Sequence, residues 1–120
     1  MIVRLAKTFG FESAHFLPHV PEGHPCRRLH GHSFRFEVLV EGEVDAQRGW
    51  FVDYGDLSGL VDPLVERLDH RLLNSVPGLE NPTSELLAVW LWERLARSLP
   101  GLRRISVFET CATRCDYEGK

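Results

Sequence analysis

Two alternating runs narrow the fold more than any other feature of this chain. From Val3 every second residue reads Val3, Leu5, Lys7, Phe9, Phe11, Ser13, His15, and a second series runs His32, Phe34, Phe36, Val38, Val40. Successive side chains of a strand point to opposite faces, so each run describes a strand with one face against a core. Ser33, Arg35, Glu37 and Glu41 fall on the other face of the second strand, which begins near His30. Between the runs lies "LPHVPEGHP", and after them "EGEVDAQRGW" supplies turn chemistry.

The period then changes. Leu57, Leu60, Val61, Leu64, Val65 and Leu68 recur at helical spacing, with Asp53 or Asp56 as the cap. Pro63 inside this pattern predicts a kink or a late helix start. A loop containing "NSVPGLENP" leads to a second helix capped by Thr83 or Ser84, with Glu85 in its first turn and Pro100-Gly101 as its stop. Ile105, Val107 and Glu109 alternate along a third strand, and a short last strand around Cys115 to Tyr117 would pair with it. The order β-β-α-α-β-β predicts an α+β sheet with both helices on one face.

Composition sets outer bounds. At 120 residues the chain is expected to form one domain, residues 1–120. A net charge of -3 provides no basic face for nucleic acid. No run approaches the roughly 20 apolar residues of a membrane span, and "MIVRLAK" lacks the apolar core of a signal peptide. Three cysteines make an odd count without the spacing of a disulfide framework, which suits a reducing, cytoplasmic setting. Cys111 and Cys115 fit the last hairpin as small reduced hydrophobes, and Trp90 and Trp92 fit a core or an interface.

The chemistry concentrates in "CRRLHGHSF", Cys26 to Phe34. Residues i and i+2 of a strand share a face, so His30 and His32 can direct both imidazoles at one point. His15 ends the first strand and comes beside them if the strands pair antiparallel. Three neutral imidazoles and an open position form a common catalytic zinc site. His19 and His24 lie in the loop and are less well placed. Cys26 is either a fourth ligand in a closed structural site or a nucleophile or base beside the ion, and spacing alone leaves both open. Asp69 and His70, at the end of the first helix, are either a solvated cap favoured by the helix dipole or an oriented acid/base pair. Glu109 shares parity with Ile105 and Val107, so its carboxylate faces the apolar side and needs a partner. An arginine would serve, and so would a ligand with two adjacent N–H donors.

The segments "FESAHFLP", "CRRLHGHSF", "FVDYGDLS", "LDHRLLN", "NPTSELLA" and "ETCATRCDY" together resemble, in order, the 6-pyruvoyltetrahydropterin synthase superfamily. They are most similar to its bacterial branch, the 6-carboxytetrahydropterin synthases of queuosine biosynthesis. Animal pyruvoyl-forming enzymes have a longer gap between the cysteine and HGH. The resemblance implies the tunnelling fold: four antiparallel strands with two helices on one face, joined edge to edge into a barrel, with a trimer pair making a homohexamer. It implies Zn2+ on His15, His30 and His32, Cys26 as a catalytic base, and Asp69 and His70 as its partners. It also implies Glu109 as the anchor of the pterin ring, with Thr83 nearby. The implied substrate is 7,8-dihydroneopterin triphosphate, and the implied products are 6-carboxy-5,6,7,8-tetrahydropterin, acetaldehyde and triphosphate. Arg27, Arg28 and Arg114 are candidates to receive the triphosphate. A pyruvoyl-forming sister enzyme and a non-catalytic zinc module are the alternatives.

Overall fold

The computed structural model describes residues 1–120. The two alternating runs form β1 (Ile2–His15) and β2 (His30–Glu43), paired antiparallel without a break from Ile2 opposite Glu43 to His15 opposite His30. Helix α1 (Tyr54–Leu68) follows, then β3 (Arg71–Leu72), α2 (Ser84–Leu95), β4 (Leu102–Phe108) and β5 (Cys115–Tyr117). The sheet order is β3-β1-β2-β4-β5.

One hydrophobic core joins the inner face of the sheet to both helices. Phe9, Phe11, Phe34, Phe36, Val38 and Val40 from the hairpin meet Ile105 and Val107 of β4. Leu57, Val61, Leu64 and Leu68 cover them from α1, and Leu87, Leu91 and Leu95 from α2. Phe9 stacks on Phe36 with ring centroids 5.4 Å apart, and Phe11 on Phe34 at 5.1 Å. Both helices therefore lie on one face, as the patterning predicts.

Five details differ from the sequence expectations. The sheet has five strands, because the chain leaving α1 adds β3 parallel to β1, with Ser13 opposite Arg71 and Ala14 opposite Leu72. A two-residue strand is too short to leave a period. Helix α1 starts at Tyr54, earlier than the first periodic leucine, because the Asp53 side chain accepts from the Gly55 N–H and caps it there. It runs through Pro63 without ending: Pro63 and Gly59, the residue four before it, are both exposed, so the Gly59 carbonyl released by the proline faces water. Leu60 shares that outward side and is 38% exposed rather than buried. Helix α2 ends at Leu95, short of Pro100-Gly101, although Leu99 still packs in the core.

The helix entrances and exits are tied to the hairpin. The Ser13 hydroxyl donates to the Leu68 carbonyl at the end of α1, and the His70 N–H donates to the Glu12 carbonyl at 2.6 Å. Thr83 caps α2 by accepting from the Leu86 N–H at 3.1 Å.

Truncating Phe36, which is wholly buried between the Phe9 and Phe11 rings, should remove about 3–5 kcal/mol of stability. Leu60→Ala should cost less than about 1 kcal/mol. Denaturant midpoints of the two variants check the contrast, and equal losses would place Leu60 in the core after all.

Candidate metal centre

At one end of the hairpin the inner-face aromatic column changes from phenyl to imidazole. Phe34 is followed at the same parity by His32 and His30, and Phe11 by Ser13 and His15. Ring centroids are 4.6 Å apart for His15 and His30, 5.1 Å for His15 and His32, and 4.8 Å for His30 and His32. Glu109, one residue beyond β4, reaches into the group. Its Oε1 lies 3.1 Å from His15 Nε2 and 3.5 Å from His32 Nε2. One ligating atom from each of these four residues falls within 4.8 Å of all the others. The three histidines expected to bind metal thus come together, and Glu109 joins them.

Backbone carbonyls set the tautomers. His15 Nδ1 is 2.9 Å from the Pro82 carbonyl, and His30 Nδ1 is 2.7 Å from that of Arg28. A carbonyl only accepts, so each Nδ1 carries the hydrogen and each Nε2 presents a lone pair. His15 is wholly buried, and its Nε2 has no hydrogen bond: Glu109 Oε1 is near enough but outside hydrogen-bond geometry. An unmet polar atom of this kind costs about 1–3 kcal/mol. A cation between the lone pair and the carboxylate removes that cost, so the donor set fits a divalent metal.

The charge states fit as well. Burial lowers the His32 pKa, helped by His15 and His30 and opposed by Glu109. The hydrogen bond and positive charge that His15 offers when Nε2 carries a proton, with the charge of His32 and the Ser84 hydroxyl, lower the Glu109 pKa against the effect of burial, and a divalent ion takes the place of that proton. Neutral imidazoles and an ionised carboxylate are the forms a metal takes.

The loop from α1 to α2 builds the site's floor. The Phe16 N–H donates to Asn74 Oδ1 at 3.1 Å, and Asn74 Nδ2 donates to the carbonyls of Phe16 at 2.8 Å and Glu80 at 3.3 Å. This lashes the loop to the end of β1 and delivers the Pro82 carbonyl to His15. Just beyond, the Ser84 hydroxyl donates to Glu109 Oε2 at 3.3 Å. Asn74, Pro82 and Ser84 were not anticipated as site residues. Pro82 and Ser84 fall in the "NPTSE" helix start and Asn74 opens the "NSVPGLENP" loop, and neither segment marks them as site residues, because Asn74 and Pro82 act through backbone groups. Thr83 stands beside them with its oxygen engaged as the α2 cap.

The other expected residues are placed differently. Cys26 lies in a 3-10 turn, Pro25–Arg27, just ahead of β2. The Leu17 N–H donates to its carbonyl at 2.8 Å, which draws the turn across the histidine end of the hairpin, but the thiol is not among the converging ligand atoms. His24 is occupied in accepting from the Cys26 N–H. Asp69 and His70 do pair, Nδ1 to Oδ2 at 2.9 Å, and Asp69 Oδ1 accepts from the Glu12 N–H at 2.8 Å. The His70 side chain is 79% exposed and lines a separate hollow with Arg67, Arg71 and Leu72. Its φ of 54° is the chain's only positive value outside glycine. Next to Glu109, a cleft of about 360 Å3 is lined by Ser84, Glu85, Val107, Thr113, Arg114 and Cys115. Burial, with Glu85 and Asp116, pushes the Cys115 thiol pKa up, so this cleft holds a neutral thiol.

Known proteins share this architecture. The family model for 6-pyruvoyl tetrahydropterin synthase matches residues 4–120. A 6-carboxy-5,6,7,8-tetrahydropterin synthase of Synechocystis is 45% identical over 117 residues, covering 92% of this chain and 89% of its own. A dihydroneopterin monophosphate aldolase of Pyrococcus furiosus is 39% identical over 112 residues, covering 91% of each. The structure of a Caenorhabditis elegans 6-pyruvoyl tetrahydropterin synthase superposes with a TM-score of 0.89 at 24% identity, over all of this chain and 97% of that one. That match carries the fold.

The Glu12 N–H, followed by His70, depresses the Asp69 pKa, so the folded value lies below the unfolded one. The ionised form therefore stabilises the fold above the ordinary carboxylate range, and the contribution is lost as pH falls through the depressed value. Asp69→Asn should be less stable than the parent at neutral pH, with the gap narrowing on acidification. Denaturant midpoints from pH 7 to pH 3 read it, and a gap that stays constant would contradict the linkage.

Proposed function

The chain belongs to the 6-pyruvoyl tetrahydropterin synthase family, and from that membership we propose that it is a zinc-dependent carbon–carbon lyase. In this proposal it converts 7,8-dihydroneopterin triphosphate and one water to 6-carboxy-5,6,7,8-tetrahydropterin, acetaldehyde and triphosphate, a step toward queuosine. The observation that carries a metal mechanism is the buried His15 Nε2, a lone pair with no hydrogen bond that shares one point with His30 and His32. The 45% identity to a carboxy-forming relative favours that product over the alternatives.

His15, His30 and His32 would hold the ion, with Pro82 and Arg28 keeping their Nε2 atoms free for it. When bound, the metal supplies Lewis acidity to the hydroxyls of the substrate side chain. Cys26, drawn over this end of the hairpin, takes a proton from that side chain as the base. Glu109 accepts the two neighbouring N–H groups of the pterin ring, a bidentate match for an ionised carboxylate. The cleft beyond it offers room for a ring, with Ser84 in its lining and Thr83 the residue before it. Asp69 fixes the His70 ring, which serves as the complementary acid or base. The strained backbone at His70, with a side chain largely free of packing, supports a functional role there.

Assembly completes the account. Outside its two-residue pairing with β3, the outer edge of β1 is open, and open edges of this length invite pairing with another chain. A barrel of copies, arranged as a homohexamer, closes those edges. It also gives the Asp69–His70 pair, which lines a different hollow in its own chain, a route to the histidine site of a neighbour.

Incubating metal-assayed protein with the triphosphate substrate and analysing products by mass spectrometry tests the reaction. A carboxylate on C6 with acetaldehyde is expected. A three-carbon diketo side chain would make it the pyruvoyl-forming sister, and a hydroxymethyl group on C6 would make it an aldolase. Cys26→Ala should keep metal and fold while losing turnover by at least about 10²-fold. Loss of metal and unfolding in that variant would instead mark Cys26 as a fourth ligand in a non-catalytic zinc module.

A further inference from the structure

The Glu109 carboxylate, proposed above to hold the pterin ring, sits among the imidazoles. We propose that Glu109 is the fourth ligand of the metal in the resting protein, and that an arriving pterin withdraws it and so opens the position the substrate needs. The second half rests on the pterin-anchoring role of Glu109, and the first half does not.

Three observations support the ligand role. Nitrogen and oxygen ligands about 2.0–2.1 Å from a tetrahedral ion lie about 3.3–3.4 Å from one another. Glu109 Oε1 is 3.1 Å from His15 Nε2 and 3.5 Å from His32 Nε2, on either side of that separation. Next, His15 Nε2 is wholly buried and without a hydrogen bond, so the nearest electron-rich neighbour of its lone pair is a carboxylate oxygen. Two such atoms repel at that distance unless a positive charge lies between them, and a metal ion there would supply it. Finally, the fourth converging atom is supplied by Glu109 and not by Cys26, whose thiol lies outside the group.

The release half follows from how many oxygens each task takes. A pterin edge bound bidentately occupies both Oε1 and Oε2, whereas the resting pose gives Oε1 to the metal and Oε2 to the Ser84 hydroxyl. Ring and ion therefore compete for Oε1. The side chain also has freedom to move: Glu109 lies just past the last residue of β4, leads into a turn, and is 29% exposed toward the cleft. A carboxylate in the fourth position keeps water and stray anions off a strong Lewis acid until a pterin arrives. Only the correct ring then uncovers the metal, which couples recognition to activation.

Chelator competition on zinc-loaded wild-type and Glu109→Gln protein, without pterin, tests the ligand role. The variant should bind zinc at least about 10-fold more weakly, a loss in the range of other changes close to a metal. Equal affinities would overturn the proposal. A crystal structure of zinc-loaded wild-type protein decides the matter without any variant. Oε1 at about 2.0–2.2 Å from zinc is expected, and a water in that position with Glu109 withdrawn would overturn it. A second crystal, soaked with 7,8-dihydroneopterin, should show the carboxylate on the ring and off the ion. Pterin bound with Oε1 still on zinc would overturn the release half. If Glu109→Gln weakens zinc but leaves pterin affinity unchanged, the ligand role stands and the anchoring role falls.

Discussion

Every feature of this protein depends on the register of one hairpin. Fourteen consecutive residue pairs join β1 to β2, and a shift by one residue would turn each inner side chain outward. The same parity that sends Phe9, Phe11, Phe34 and Phe36 into the core sends His15, His30 and His32 to the end of that face. Core and site are therefore not separate designs. The phenyl rings pin the register by burial, and the imidazoles inherit their convergence from it. His15 packs edge-on against Phe34, at 5.3 Å between centroids, so the two kinds of ring form one continuous stack.

Convergence alone does not make ligands. An imidazole with the wrong nitrogen bare would present a hydrogen where a lone pair is needed. Two carbonyls prevent this for His15 and His30, and neither belongs to the strands that carry the rings. The Pro82 carbonyl is held in place by Asn74, which grips both backbone groups of Phe16, and by the α2 cap at Thr83. The site's precision thus comes from a loop and a helix start as much as from the sheet. The unmet His15 Nε2 is what this arrangement leaves, a polar atom kept bare, one of two buried side-chain polar atoms without a hydrogen bond, the other being Arg104 Nε.

The hairpin, both helices and the histidine convergence were legible in the sequence because they are periodic. Alternation locates inner faces, helical spacing locates α1 and α2, and Asp53 and Thr83 are ordinary caps. What was not legible is aperiodic or made by backbone. Strand β3 is two residues long and is held by Ser13 and Ala14 of β1. The tolerance of Pro63 depends on Gly59 facing water, which no local pattern states. Leu60 fits the helical period but sits at the edge of the apolar stripe. The proximity of Glu109 to His15 follows from the pairing of β4 with β2, where Phe108 stands opposite Arg35. That places the next residue level with the start of the imidazole row, across strands far apart in sequence. The family resemblance supplied a role for Glu109 but not this position.

The dimensions of the fold explain why the site lies where it does. A strand of 14 residues spans about 47 Å, and a helix of 15 residues only about 22 Å. The chain is accordingly elongated, 58 × 25 × 23 Å, and each helix is too short to cover the whole length of the hairpin. At one end Val3 and Leu5 are met by Trp50, Phe51 and Val52 from the turn after β2, and the surface there stays apolar. At the other end the cover is the Asn74–Pro82 loop, which brings carbonyls rather than side-chain carbon. An inner-face position facing carbonyls needs a group that can donate a hydrogen while keeping a second polar atom free. Among side chains that also stack on a phenylalanine, histidine does this, and the third imidazole and Glu109 then find the free atoms already gathered.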